Sequence, residues 1–285
     1  MPIASGGYII HTKMGLVFDE IGYWSEVKLE IIKEYASAYS RILASRRDPE
    51  LYHIYIDAFA GPGMHISKRT GDYVPGSPQI ALDIKPPFKE YHFIDIDSDK
   101  VAMLNELAAQ RPEANVHIHE GDCNSILLEK VFPRARYEDY RRALCLLDPY
   151  GLHLNWEVIQ TAGHMKSVDM FLNFPVADMN RNVLWRNPEN VDSADVERMN
   201  CYWGDESWRK IAYGKPNLFG FEMKEDNETI ALAFQKRLHE VAKFQHVSKP
   251  LPMRNSKGAI VYYLFFASQR KVADNIIQYI FDKYG

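Results

Sequence analysis

Leu51-Tyr52-His53-Ile54-Tyr55-Ile56-Asp57-Ala58-Phe59-Ala60-Gly61-Pro62-Gly63 decides the fold. Its first half, Leu51–Asp57, is short, β-branched and aromatic, which predicts a strand, and it runs into a turn built on two glycines. Tyr91–Asp97, Asn115–His119, Ala143–Asp148 and Val168–Phe174 have the same texture. Between them, helical spacing of apolar residues marks Gly76–Ile84, Ser98–Gln110, Cys123–Val131 and Asn155–Gly163. Strands alternating with helices mean βαβ units, hence a parallel sheet buried on both faces.

Upstream, Val27, Leu29, Ile31, Ile32, Tyr35, Tyr39, Ile42 and Leu43 recur at helical spacing, so one long amphipathic helix is predicted from Ile21 to Ala44, preceded by an arm over 1–20. Past Pro175 the alternation stops. Glu189–Tyr213 and Asp226–Phe244 read as helices around a turn at Gly214–Gly220. Two strands, Gln245–Arg254 and Gly258–Ser268, follow with a tight polar turn between them, and a last helix runs from Arg270 to Tyr284. The expected architecture is α/β, a Rossmann-like class I methyltransferase fold: a seven-stranded, mostly parallel sheet with an antiparallel C-terminal hairpin. One domain spans 21–285 and carries a helical insertion over 176–244.

The 285 residues are 46% apolar and 25% charged, which excludes a disordered tail, a rod and a small disulfide scaffold. No apolar run approaches the ~20 residues that span a bilayer. Cys123, Cys145 and Cys201 form neither a close pair nor a metal-ligand spacing, so no metal is expected and a reducing, cytoplasmic location is. A net charge of −4 argues against non-specific coating of nucleic acid. Arg41, Arg46 and Arg47, and Arg134, Arg136, Arg141 and Arg142, still form local basic groups.

In open parallel sheets the crevice at the carboxyl ends of the strands is the binding site. The turn Asp57–Gly63 lies there, with Asp95 ending the second strand, Asp122 following the third and Asp148 ending the fourth. Each alone could be a helix N-cap, the natural role of Asp97. Together, four carboxylates on one rim suit a cation. A dinucleotide wants a glycine turn opening directly into a helix, with an acid about 20 residues on. Here Pro62 interrupts the turn, residues 64–75 intervene and Asp95 comes far too late. S-adenosylmethionine, with a sulfonium and no phosphate, fits better. Asp57 and the backbone of Gly61 and Gly63, with Phe59 in the same turn, would take its methionine end. Asp95 would take the ribose hydroxyls, and Asp122 with the Cys123 backbone the adenine edge.

Leu146-Leu147-Asp148-Pro149-Tyr150-Gly151 carries the chemistry. The nitrogen lone pair of a nucleobase amine is delocalised into the ring. A carboxylate and a carbonyl that accept its two N–H groups pull it towards tetrahedral geometry, and an adjacent aromatic can stack on the base for ~1–3 kcal/mol. Asp148, the Pro149 carbonyl and Tyr150 supply those parts. Asn173, Asn180 and Arg181, after the fifth strand, are candidates for the substrate side. Trp185, Tyr202, Trp203 and Trp208 are either stacking residues or core.

DPYG resembles the Asp-Pro-Pro-Tyr motif of amino-methyltransferases, with Tyr150 in place of the second proline. It is nearer to the Asp-Pro-Phe-Gly of tRNA guanine-N2 dimethyltransferases. DAFAGPG is similar to the turn of cytosine-C5 methyltransferases, but their Pro-Cys nucleophile is missing, since Cys145 lies inside a strand. Taken jointly, DAFAGPG, GSPQIALDI, YHFIDID, LLDPYG, FLNFPVADMNRN and YYLFFAS resemble the three-Cys-motif partner family over most of 20–285. That resemblance implies a class I methyltransferase-like fold and, as a partner, a neighbouring protein bearing three cysteines. The expected function is S-adenosylmethionine-dependent methylation of an exocyclic base amine in DNA or RNA. The alternative is a partner subunit with little catalysis of its own, and in neither case is a membrane partner expected.

Overall fold

The computed structural model describes residues 10–11, 17–216 and 222–284. Its main sheet is built from β1 (Tyr52–Asp57), β2 (Glu90–Asp95), β3 (Val116–Glu120), β4 (Arg141–Leu147), β5 (Val168–Phe174), β6 (His246–Val247), β7 (Leu251–Arg254) and β8 (Ile260–Ser268). The order is β6-β8-β5-β4-β1-β2-β3, with β7 also paired to β8. Strands β1 to β5 are parallel, and β8 enters antiparallel beside β5, Phe171 facing Phe266. This is the class I methyltransferase-like arrangement that the sequence predicts.

The expected strand Gln245–Arg254 is two strands in line. Pro250 lacks an N–H for the ladder. At the break the Ser248 amide donates to the Phe266 carbonyl at 2.8 Å, and the Ser248 hydroxyl accepts from the Phe266 amide at 2.9 Å. One edge position is thus shared by β6 and β7.

Ten helices of the described residues flank the sheet: α1 (Tyr23–Ala44), α2 (Ser77–Asp83), α3 (Ser98–Ala109), α4 (Cys123–Ile126), α5 (Trp156–Met165), α6 (Val176–Asn182), α7 (Ser193–Trp203), α8 (Ser207–Tyr213), α9 (Asn227–Glu240) and α10 (Lys271–Tyr284). Side chains alternate across the sheet, so each strand feeds two cores. Ile54, Ile56, Cys145, Leu147, Met170 and Leu172 pack against α5 and the helices α7 to α9. Tyr55, Phe93, Leu144, Leu146, Phe171 and Phe266 pack against α1, α2 and α10. Cys145 is a core residue, as its place inside a strand requires.

Several local expectations change. The first helix begins at Tyr23, because Ile21 pairs instead with Ser67 in a short strand. Glu189–Tyr213 is two helices, since Gly204 takes a left-handed φ of 99° and ends α7. Residues 64–75 form a hairpin, Met64–Ser67 with Tyr73–Pro75, to which Glu20–Ile21 adds a third strand. Most of the predicted arm, and 217–221 of the predicted turn, lie outside the described residues. Tyr202, Trp203 and Trp208 are core, whereas Trp185 is exposed and its Nε1 donates to the Arg181 carbonyl at 2.7 Å.

Candidate active site

Three of the four predicted carboxylates meet. Asp57, Asp95 and Asp148 stand at the carboxyl ends of β1, β2 and β4 on the α1 side of the sheet, the side of Tyr55, Phe93 and Leu146. Asp57 is fully buried; its Oδ1 accepts from the Phe59 amide at 3.4 Å and its Oδ2 has no partner. Burial raises its carboxyl to about 7, Asp148 adds like-charge repulsion, and Ser77, the Phe59 amide and Lys28 pull the other way.

The glycine turn is held by Asp95. Its Oδ2 accepts from the Gly61 amide at 2.8 Å and its Oδ1 from the Asp97 amide at 3.0 Å, while Asp97 caps α3 as expected. Gly61 and Gly63 have φ of 65° and 79°, and a Cβ on Gly63 would lie 3.0 Å from Leu107 Cδ2. Pro62 does not carry the chain away from the sheet. The hairpin 64–75 loops out and returns, so that the Gly76 amide donates to the Gly63 carbonyl at 2.8 Å and α2 starts beside the turn. The intervening stretch therefore no longer argues against a phosphate at this place; the carboxylates do.

At the fourth strand end Asp148 is ion-paired to Lys28 of α1, a contact that sequence reasoning did not find. Burial alone would lower the Lys28 pKa, but Asp148, with the phenols of Tyr262 and Tyr150, holds the ammonium well above the lysine range. The Lys28 nitrogen also lies 5.5 Å from the Tyr262 ring centroid, and the buried Tyr262 hydroxyl has no hydrogen-bond partner. Pro149 is buried, whereas Tyr150 is 66% exposed, with Lys100 Nζ 5.4 Å from its ring centroid. Gly151 is required: φ is 66° and a Cβ would come within 2.6 Å of Asp178 Oδ2. His65, on the hairpin, has an unpartnered Nδ1 and is driven down to about 4 by burial, so it is neutral beside Lys28 and Asp148.

The remaining candidates are placed otherwise. Asp122 caps α4, accepting from the Ser125 amide at 3.0 Å, and takes the Asn124 amide group at 2.9 Å. Its neighbour Cys123 is buried, which lifts the thiol to about 12. Asn173, next to last in β5, lies on the α1 side with a buried, unpartnered Oδ1. Asn180 is engaged by Asn227 and Lys224 instead, and Arg181 is exposed. Ile96, passed over in the sequence, is 76% exposed directly after Asp95, an apolar side chain offered at the crevice. Among the described residues, Glu90, His92 and His117 place ligand atoms within 4.8 Å of one another. Arg134 at 2.5 Å and Arg141 at 3.4 Å already neutralise Glu90, which makes this an ion-pair network unfavourable to a cation.

The fold recurs in solved structures. Protein LPL1258 from Legionella pneumophila is 12% identical, covers 90% of this chain and 91% of its own, and superposes with a TM-score of 0.52. This chain shares that fold, and its strand order with β8 antiparallel beside β5 is methyltransferase-like. Weaker likenesses run to a putative methyltransferase from Thermobifida fusca, 13% identical over 85% of this chain and 81% of that one, with a TM-score of 0.40. The N-terminal domain of EvdMO1 with SAH bound is 13% identical over 84% and 81%, with a TM-score of 0.42. No protein-family model matches the chain, and no curated protein does.

Proposed function

We propose that this protein is an S-adenosylmethionine-dependent methyltransferase acting on an exocyclic amino group of a nucleic-acid base. The observation that carries the reading is the convergence of Asp57, Asp95 and Asp148 around the glycine turn, with one Asp57 oxygen buried and unpartnered. A buried carboxylate oxygen without a donor is costly unless a ligand supplies one. The cofactor's ammonium is such a donor. When bound, S-adenosylmethionine supplies an electrophilic methyl group. Asp57 and the turn backbone hold its amino-acid end, Asp95 and Ile96 the ribose and one adenine face, and Asp122 the adenine edge.

The chain's own groups then prepare the acceptor. Lys28 pairs with Asp148 through Oδ2 and leaves its Oδ1 without a partner among the described residues. That oxygen and the Pro149 carbonyl accept the two amine N–H bonds, Tyr150 stacks on the base, and Asn173 lines the acceptor side. Alignment of this kind can be worth up to ~7–11 kcal/mol.

Calorimetric titration with S-adenosylmethionine should saturate and weaken at least tenfold in Asp57→Ala. Asp148→Ala should bind the cofactor normally and transfer no methyl group. Nucleosides from cells with and without the gene should differ by one amine-methylated base. The occupation of Asp148 by Lys28 favours a second reading, a partner subunit of a three-Cys-motif protein. An unchanged nucleoside profile with a phenotype indifferent to Asp148→Ala would select it.

A further inference from the structure

A cavity of about 620 Å³ opens at the opposite edge of the sheet, where β1, β4 and β5 begin. That volume suits a small organic ligand. Three guanidiniums reach it, Arg46, Arg142 and Arg270, and none has an ion-pair partner among the described residues. Arg142 stacks on Tyr137, 3.8 Å from the ring centroid, and Arg270 donates to the Tyr137 hydroxyl at 2.8 Å. These acceptors are neutral, and around the cavity Arg46, Arg142, Lys166 and Arg270 outnumber the carboxylates Asp48, Glu138 and Asp169. Arg142 is half-buried, and burial lowers its pKa.

The walls are flat and apolar. Tyr39 is buried, and Tyr140 is 54% exposed at the mouth while held at a φ of 57°. The floor is polar. Asp169 accepts from the Tyr35 hydroxyl at 2.7 Å and from the Ser268 hydroxyl at 2.5 Å. Asp48 and Glu138 also line the cavity, so the anion's place is at the arginines rather than anywhere on the rim.

We propose that this cavity is a nucleotide-binding site: a base lies between the tyrosine rings with its N–H groups towards Asp169, and its phosphate meets Arg46, Arg142 and Arg270. The site is distinct from the methyl-transfer crevice and does not rest on that reading.

The four ribonucleoside 5′-monophosphates, titrated calorimetrically into the whole chain, test it. At least one should bind saturably with one site per chain, with or without S-adenosylmethionine present. Arg142→Ala with Arg270→Ala should weaken it at least tenfold. Arg46→Glu, at an exposed side chain that holds nothing else in place, should weaken it at least fivefold without touching the fold, and Asp57→Asn should leave it unchanged. Absence of saturable binding for all four, equal binding by inorganic phosphate, displacement by S-adenosylmethionine, or indifference to Arg46→Glu would each overturn the assignment.

Discussion

Asp57 titrates against its own folding. Its carboxyl has an ordinary value of 3.8 in the unfolded chain and about 7 in the folded one. Between those values the folded protein holds a proton that the unfolded chain has released, so this residue's contribution falls as pH rises and is fully adverse above about 7. Asp57→Asn should therefore match the parent near pH 4 and exceed it at pH 8 by on the order of 2–4 kcal/mol, read by urea denaturation at both pH values. The three strand-end carboxylates are legible because chain position alone puts them on the rim. Lys28 is not, because a lone lysine in a long helix reads as solvated. Its signal is the apolar stripe in which it sits, Trp24, Ile31, Ile32, Tyr35 and Tyr39 at helical spacing around it. Ile96, between two aspartates, offers no pattern at all. Its exposure is a property of the folded rim.

The inserted helices are not an appendage. Phe234 of α9 lies 4.7 Å from Phe174, 5.2 Å from Trp203 and 6.0 Å from Phe265, ring centroid to ring centroid, so α7, α9, β5 and β8 share one aromatic cluster. Phe234→Ala should cost about 3–5 kcal/mol. Near- and far-ultraviolet dichroism should then melt together, whereas independent loss of the insertion would give two transitions. Alternating texture was enough to read β1 to β5, since buried parallel strands are continuous apolar runs. Hairpin 64–75 escaped because its pairing depends on Glu20–Ile21, remote in sequence, and the break in Glu189–Tyr213 because one glycine within a helical pattern is ambiguous until Trp156 is seen packed against Gly204.

Across the molecule, buried acids and partly buried imidazoles oppose each other. Asp57 and Asp169 are raised to about 7 and about 6, mainly by burial. His65 and His119 are both depressed to about 4, again by burial, and His53 and His117 are lowered. A depressed histidine stabilises above its unfolded value of 6.5 and loses that contribution as pH falls through its folded value. The Asp57→Asn protein, lacking the gain that protonation of Asp57 brings, should accordingly lose more stability than the parent on acidification from pH 7 to pH 4. Equal slopes for the two proteins in thermal melts would count against this balance. The alternation of elements conveys the sheet order, but not that its amino edge carries a cavity. Arg46 and Arg142 lie in separate basic runs and converge only because α1 ends where β4 begins.

The interruption between β6 and β7 has a consequence for life at high protein concentration. A long, straight outer strand is a template on which another polypeptide can stack its own amides. Here that margin is broken at Ser248 and Pro250, and Pro252 within β7 removes another donor. The opposite margin, β3, is five residues long and carries His117, His119 and Glu120. Both flanks of the sheet thus discourage fibrous self-association.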